Sequence, residues 1–382
     1  MGRYIYLDNN ATTQPLDSVV EAMLPSMRAE YANPSSVHPF GQSVRHQVEL
    51  ARGQVAHLLR ADPKEIIFTS GGTESINLAI RGALAARPTK RQFITSAVEH
   101  SAGHWLAAQL AREGYRVDEI GVDRAGRLDL AELEEKITED TALISVMHAN
   151  NETGVLFDVE QVCAIAARHG VPIHLDAVQS AGKVPIDVQQ WQVHLLSLSA
   201  HKLHGPKGVG ALYVRRRTRL TPLFIGGRQE RDLRPGTENV PAIIGFGVAA
   251  AEAADLSPEK IEPIRRLRDT LEARVRAAIP IAHLFGAEAP RLCNTSNMGF
   301  ERLQSEALLI LLADRGICVS AGAACSSGSL EPSHVLKAMG IDPVVAHGAL
   351  RFSLSRFTTL AEIDRTVESL TAVVERLSAT LV

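Results

Sequence analysis

At 382 residues, with 45% hydrophobic and 22% charged side chains, the chain has an ordinary globular composition and is long enough for two domains. A net charge of −3 and a pI near 6.5 give no electrostatic footprint for nucleic acid or an anionic membrane. Four cysteines without a CxxC pair, an N-terminus polar by Asp8 and no apolar stretch near the ~20 residues of a spanning helix argue against a disulfide scaffold, a signal peptide and a membrane span, and point to a soluble cytoplasmic protein.

In chain order, residues 5–7 read as a short strand and 16–30 as a helix. Two prolines interrupt the periodicity over 31–41, a stretch that contains Asn33, and a helix resumes over 42–59. Alternation follows: strands are expected at 66–69, 93–95, 142–147 and 171–176, with helices at 75–86, 102–112 and 159–168 between them. Strands alternating with helices of this length predict an α/β fold with a mostly parallel sheet covered on both faces. A charged amphipathic helix over 257–278 marks the boundary. The expected large domain is 15–257; residues 1–14 and 258–382 form a smaller α+β domain. The arginine-rich stretches 87–91, 215–219 and 265–268 read as solvated faces.

The chemistry sits at strand ends. The apolar run Leu195-Leu196-Ser197-Leu198-Ser199 leads into Ala200-His201-Lys202 and then Gly205-Pro206-Lys207-Gly208, so Lys202 is delivered to a strand end, where open α/β sheets place ligands. A lysine desolvated there has a lowered pKa and can act as an amine nucleophile toward a carbonyl. Upstream, Val171-Pro172-Ile173-His174-Leu175-Asp176 ends in a carboxylate. A lysine together with a carboxylate for a pyridinium nitrogen is what a pyridoxal phosphate enzyme needs. Phe68-Thr69-Ser70-Gly71-Gly72-Thr73 joins a strand to a helix as a phosphate cradle would, with Gly72 allowing close approach and Thr73 adding a hydroxyl. Absence of GxGxxG and of Gly-Lys-Ser/Thr removes the support for a nicotinamide dehydrogenase or a P-loop ATPase. His100 and His104 are spaced i,i+4, but no thiol or carboxylate cluster completes a metal site, and His100 is read as stacking on a flat ring. Asn150-Asn151 ends the next strand with amides able to bond a ring hydroxyl.

These stretches, from Tyr6-Leu7-Asp8-Asn9-Asn10-Ala11-Thr12-Thr13 to Arg351-Phe352-Ser353-Leu354-Ser355-Arg356, resemble the pyridoxal-phosphate-dependent cysteine desulfurases of the NifS/IscS type, within the class V aminotransferases. The resemblance covers nearly the whole chain and implies a fold type I enzyme. It implies that Lys202 bonds the cofactor and acts as base, that Asp176 pairs with the pyridinium nitrogen and that His100 stacks on the ring. Asn151 and Gln179 would contact the ring hydroxyl. Gly72, Thr73, Ser199 and His201 would hold the phosphate, joined by Thr237 from a neighbouring subunit, which implies a homodimer with shared sites. Arg351 would grip the carboxylate of L-cysteine, a bidentate task suited to guanidinium, with Asn10 and Asn33 as helpers.

Cys325 lies in Ser320-Ala321-Gly322-Ala323-Ala324-Cys325-Ser326-Ser327, where tiny side chains predict a mobile loop and the resemblance places the catalytic thiol. Ala321 and Ala323 replace hydroxyls of the family pattern, and Pro235 departs from it near Thr237. Cys163, Cys293 and Cys318 read as packing residues. The implied reaction turns L-cysteine into L-alanine and leaves a persulfide on Cys325 for a sulfur acceptor, such as an iron–sulfur scaffold, a tRNA-thiolation protein or a nitrogenase maturation factor. Family members that dock scaffolds often extend past the last helix; this chain stops at Val382, so docking by such a tail is not expected. A selenocysteine lyase or class V transaminase would use the same lysine and aspartate without needing Cys325. A non-catalytic scaffold would have no reason to place Lys, Asp, His and Asn at successive strand ends.

Overall fold

The computed structural model describes residues 4–321 and 332–379. The chain opens with β1 (Ile5–Tyr6) and continues through α1 (Asp17–Arg28) and α2 (Pro39–Leu59). Helix α2 starts before the expected residue 42 because Pro39 suits a first turn and His38 Nδ1 accepts the Gly41 N–H at 3.1 Å. There follow β2 (Ile66–Thr69), α3 (Gly72–Ala85), β3 (Gln92–Ser96), α4 (Ser101–Arg112), β4 (Arg116–Ile120), α5 (Leu130–Lys136), β5 (Thr141–Met147), α6 (Val159–Arg168), β6 (Ile173–Asp176), β7 (Leu195–Ser199) and β8 (Gly210–Val214). These strands form a seven-stranded sheet in the order β2-β8-β7-β6-β5-β3-β4. Only β8 runs against its neighbours; the other pairs are parallel.

Sequence periodicity missed two of these strands for physical reasons. β4 is the edge and carries Arg116, Asp118 and Glu119, which deter pairing with another chain but erase the apolar signal. β8 hides behind Gly205-Pro206-Lys207-Gly208. Its Gly210 is dictated by packing: a Cβ there would stand 2.6 Å from Leu198 O and 2.7 Å from Gly71 Cα. β6 begins at Ile173 rather than 171, after Pro172, which has no N–H to give the ladder.

The C-terminal third comprises α7 (Val240–Ala253), which packs on α1 and α2, then α8 (Pro258–Ala278), β9 (Ala282–Leu284), β10 (Thr295–Phe300), α9 (Ser305–Ala313), β11 (Ile317–Cys318), α10 (His334–Ala338), α11 (Pro343–Ala346), β12 (Leu350–Ser353) and α12 (Leu360–Ser378). β10 lies between β9 and β12, antiparallel to both, and β1 pairs parallel with β11, Ile5 opposite Ile317. One apolar cluster joins Ile5 and Leu7 to Leu271, Phe300, Phe352 and Leu370, so the N-terminus packs with the C-terminal elements. Val335, Leu336 and Met339 instead join the larger cluster built on the main sheet. Among the described residues no single helix is long and apolar enough to cross a membrane.

Candidate active site

Parallel strands β5, β6 and β7 bring their C-terminal ends to one edge of the sheet, and residues 8–13 of the N-terminal segment cross it. Asn10 is the junction. Its carbonyl accepts Lys202 Nζ at 2.5 Å and Gln179 Nε2 at 2.9 Å. Its side-chain Nδ2 donates to Thr295 Oγ1 at 2.9 Å and to the Asn151 carbonyl at 3.1 Å, and its Oδ1 accepts Asn294 Nδ2 at 3.1 Å. The Asn151 carbonyl also accepts Arg351 NH1 at 3.0 Å. Lys202 and Gln179 therefore meet on the Asn10 carbonyl, and the Asn10 side chain holds Asn151, whose carbonyl links the junction to Arg351.

Lys202 ends the tight turn after β7, and among the described residues its ammonium hydrogen-bonds only to the carbonyls of Asn10 and Ala11. Burial pushes its pKa down to about 8, helped by the charges of Arg351 and Lys183. Asp176, buried at the end of β6, is pushed by burial up to about 6, against the pull of the Val178 N–H at 2.9 Å and of Lys202. Among the described residues no ion pair reaches its carboxylate. Gln179 Oε1 is buried and has no hydrogen-bond partner among the described residues, an acceptor beside Lys202. His100 caps α4 by accepting the Ala102 N–H on Nδ1 at 3.1 Å; burial, then the charges of Lys202, His334 and Arg351, pushes its pKa down to about 4. It is a neutral ring fixed in one tautomer.

The turn before α3 supplies the third element. No side chain caps this fourteen-residue helix. A Cβ on Gly72 would meet Val178 Cγ2 at 3.0 Å and Ser199 Cβ at 3.6 Å, so the bare backbone fits tightly against the loop after Asp176 and the end of β7. Thr73 is exposed at the helix start, Ser199 is buried at the strand end, and His201 Nδ1 lies 3.1 Å from Thr12 Oγ1. Thr237 is exposed, three residues after Arg234, whose Nε donates to Glu74 Oε1 at 3.0 Å in the first turn of α3. Asn33 is exposed and its Oδ1 accepts the Ser35 N–H at 2.8 Å; among the described residues no contact ties it to the Asn10 junction. Cys325 lies outside the described residues. Burial pushes the Cys163 thiol up to about 12 and raises those of Cys293 and Cys318, as befits packing cysteines.

Several site residues escaped the sequence. Asp8 Oδ1 accepts Arg351 NH2 at 2.8 Å. Glu99, buried next to His100, accepts the Ser96 hydroxyl and, at 3.0 Å, the Met147 N–H; burial pushes it up to about 8. Glu152, also pushed up by burial, accepts Ser333 Oγ at 2.5 Å. All three adjoin residues that the motifs contain, but only tertiary contacts reveal that Glu99 and Glu152 are buried and that Asp8 pairs with Arg351.

A group with a cationic ring nitrogen, a ring hydroxyl, a flat face and a phosphate fits these residues: Asp176 wants a cation, Gln179 Oε1 wants a donor, and the Gly72 turn opens α3 to an anion. That matches pyridoxal 5′-phosphate. Since only the neutral amine attacks a carbonyl, we expect the cofactor-free protein to capture pyridoxal phosphate faster as pH rises, levelling off above about 8 rather than near the 10.5 of an ordinary lysine. Stopped-flow absorbance checks this; a rate still climbing at pH 10 would contradict the lowered lysine pKa.

A family model described as aminotransferase class-V matches residues 5–366. The chain is 52% identical over 375 residues to cysteine desulfurase 2 of Trichormus variabilis, covering 98% of this chain and 94% of that protein. It is 50% identical over 374 residues to the cysteine desulfurase NifS of Azotobacter vinelandii, covering 98% and 93%. A solved structure titled NifS-like protein superposes with a TM-score of 0.91 at 38% identity, covering 98% of this chain and 99% of that one.

Proposed function

The chain belongs to the aminotransferase class-V family, and from that premise we propose that it is a cysteine desulfurase, converting L-cysteine to L-alanine with a persulfide left on Cys325. The observation that carries this reading is the convergence of desolvated Lys202 and the carboxylate-binding Arg351 on the Asn10 junction, with buried Asp176 near enough to feel the Lys202 charge.

Pyridoxal 5′-phosphate, when bound, supplies an electron sink for the pair released at the substrate α-carbon. Asp176 would face its ring nitrogen, His100 its flat face and Gln179 its hydroxyl; Gly72, Thr73, Ser199 and His201 would hold its phosphate. Arg351 orients the substrate carboxylate. Lys202, whose burial lowers its pKa to about 8 and so makes the neutral amine accessible, accepts the α-proton and holds it for return. The Cys325 thiolate then bonds to the substrate sulfur while the Cβ–S bond breaks. The bonding pair stays on carbon, which takes a proton to become the methyl of alanine, and Cys325 keeps the sulfur as a persulfide.

A homodimer is part of the proposal. Exposed Val20, Leu24 and Met27 on α1, Tyr31 and Val37 on the loop after it and Phe40 at the start of α2, with Phe224 and Ile225 not far before Thr237, offer apolar surface for a second copy. In such a dimer Thr237 would complete the neighbour's phosphate site. The cluster that joins Ile5 and Leu7 to Leu271, Phe300, Phe352 and Leu370 supports the division into 15–257 and 1–14 with 258–382, although Val335, Leu336 and Met339 pack with the larger domain. The further parts of the reading are a cytoplasmic location and a sulfur-accepting partner, such as an iron–sulfur scaffold protein.

With L-cysteine and a reductant, the enzyme should release alanine and sulfide in equal amounts. Pyruvate and ammonia in place of alanine would make it a β-eliminating lyase; a need for a keto-acid acceptor would make it a transaminase.

A further inference from the structure

The guanidinium that would grip a substrate carboxylate already holds one. The Arg351 side chain is 3% exposed and its NH2 donates to Asp8 Oδ1 at 2.8 Å, while NH1 is spent on the Asn151 carbonyl and Nε is buried without a partner among the described residues. The Asp8 side chain is 21% exposed, and among the described residues Arg351 supplies its only hydrogen bond. The Asp8 backbone is pinned: it bridges to Ser353, and its carbonyl accepts the Ala11 N–H at 3.0 Å and Tyr6 Oη at 3.1 Å. The main chain is thus fixed while the carboxylate has an open side toward solvent.

We propose that Asp8 is a resident counter-ion of Arg351 that the substrate's α-carboxylate displaces, making Asp8 a specificity-determining residue for α-amino acids. The inference rests on the desulfurase reading for the identity of the substrate. A buried guanidinium left without an anion is costly, so a carboxylate supplied by the protein itself keeps the site intact when no amino acid is present. An incoming carboxylate makes the same charge-assisted bond, and its binding energy is reduced by what Asp8 gives up. A ligand without a carboxylate cannot take the place of Asp8 and gains nothing from Arg351. The rival role is a permanent partner that only orients Arg351, and it predicts the opposite sign.

The experiment uses the holoenzyme and two neutral variants, Asp8→Asn and Asp8→Ser, with cofactor absorbance as the check on folding. KM for L-cysteine should fall about threefold to tenfold with kcat within about twofold. The inhibition constant of cysteamine, which lacks the carboxylate, should not move. Without amino acid the variants should melt below wild type, and added L-alanine should raise their melting temperature more than it raises that of wild type. A KM that rises, or cysteamine affinity that shifts as much as KM, overturns the proposal. If a variant folds poorly, recovery by L-alanine supports displacement, and failure to recover assigns Asp8 a permanent structural role. Wild-type enzyme that forms no alanine from L-cysteine overturns the desulfurase reading alone; the L-alanine melting shifts still decide the role of Asp8.

Discussion

Lys202→Ala is expected to lower kcat for alanine formation by about 10⁴-fold, the upper end of what a positioned proton-transfer group supplies. Two roles vanish together, the covalent hold on the cofactor and the base at the α-carbon, and nothing nearby replaces them. Among the neighbours, Lys183 is the other buried amine, but its Nζ donates to the Gln179 carbonyl at 2.8 Å and is itself pushed down to about 8 by burial. The fold should survive. The ammonium is desolvated and bonded to two carbonyls, so its removal relieves a buried charge while leaving the Asn10 and Ala11 oxygens short of a donor, effects of opposite sign and roughly 1 kcal/mol each. Steady-state kinetics with a melting curve checks both halves; a variant retaining a tenth of wild-type activity would remove Lys202 from the chemistry.

Cys325→Ala should reduce alanine and sulfide release by about 10³-fold, roughly 4 kcal/mol of barrier. It should leave the cofactor absorbance and its response to L-cysteine unchanged. The two halves of the reaction use different groups: Lys202, Asp176 and Arg351 act on the α-carbon and its carboxylate, whereas the thiol acts only on sulfur. Losing the thiol therefore stalls turnover after the substrate has bound. The other cysteines are poor substitutes, since burial raises all three pKa values and thiolate is the reactive form. Product quantification with a spectrum taken on adding L-cysteine makes the test. Undiminished alanine release would turn the reading toward a lyase or transaminase on the same scaffold.

Much of this site was legible before the fold was known, because open parallel sheets advertise it. An apolar run must stop where the strand leaves the core, and a polar group at that point is delivered to the ligand edge; Asp176 and Lys202 were read in that way. The missed features share one cause. Asp8, Glu99 and Glu152 look like surface carboxylates in sequence, and only contacts across long separations bury or neutralise them. Helix α7 is apolar on nearly every side because it is enclosed by α1 and α2, so it shows no amphipathic period. Asn33 had only its resemblance to recommend it, and the structure spends its amide on its own loop.

The Asn10 junction also has a consequence for the order of biosynthesis. Residue 10 leaves the ribosome early, yet its partners are Gln179, Lys202, Asn294, Thr295 and Ser353, separated from it by as many as 343 positions. Such separations make closure slow and late. The main sheet can form while translation continues, but the lysine's carbonyl cradle cannot be fixed by the small-domain strands until nearly the whole polypeptide has emerged. Once residue 202 has emerged, the nascent chain carries its nucleophilic amine unsheltered until the small-domain strands close, and mature cofactor binding becomes a post-translational event.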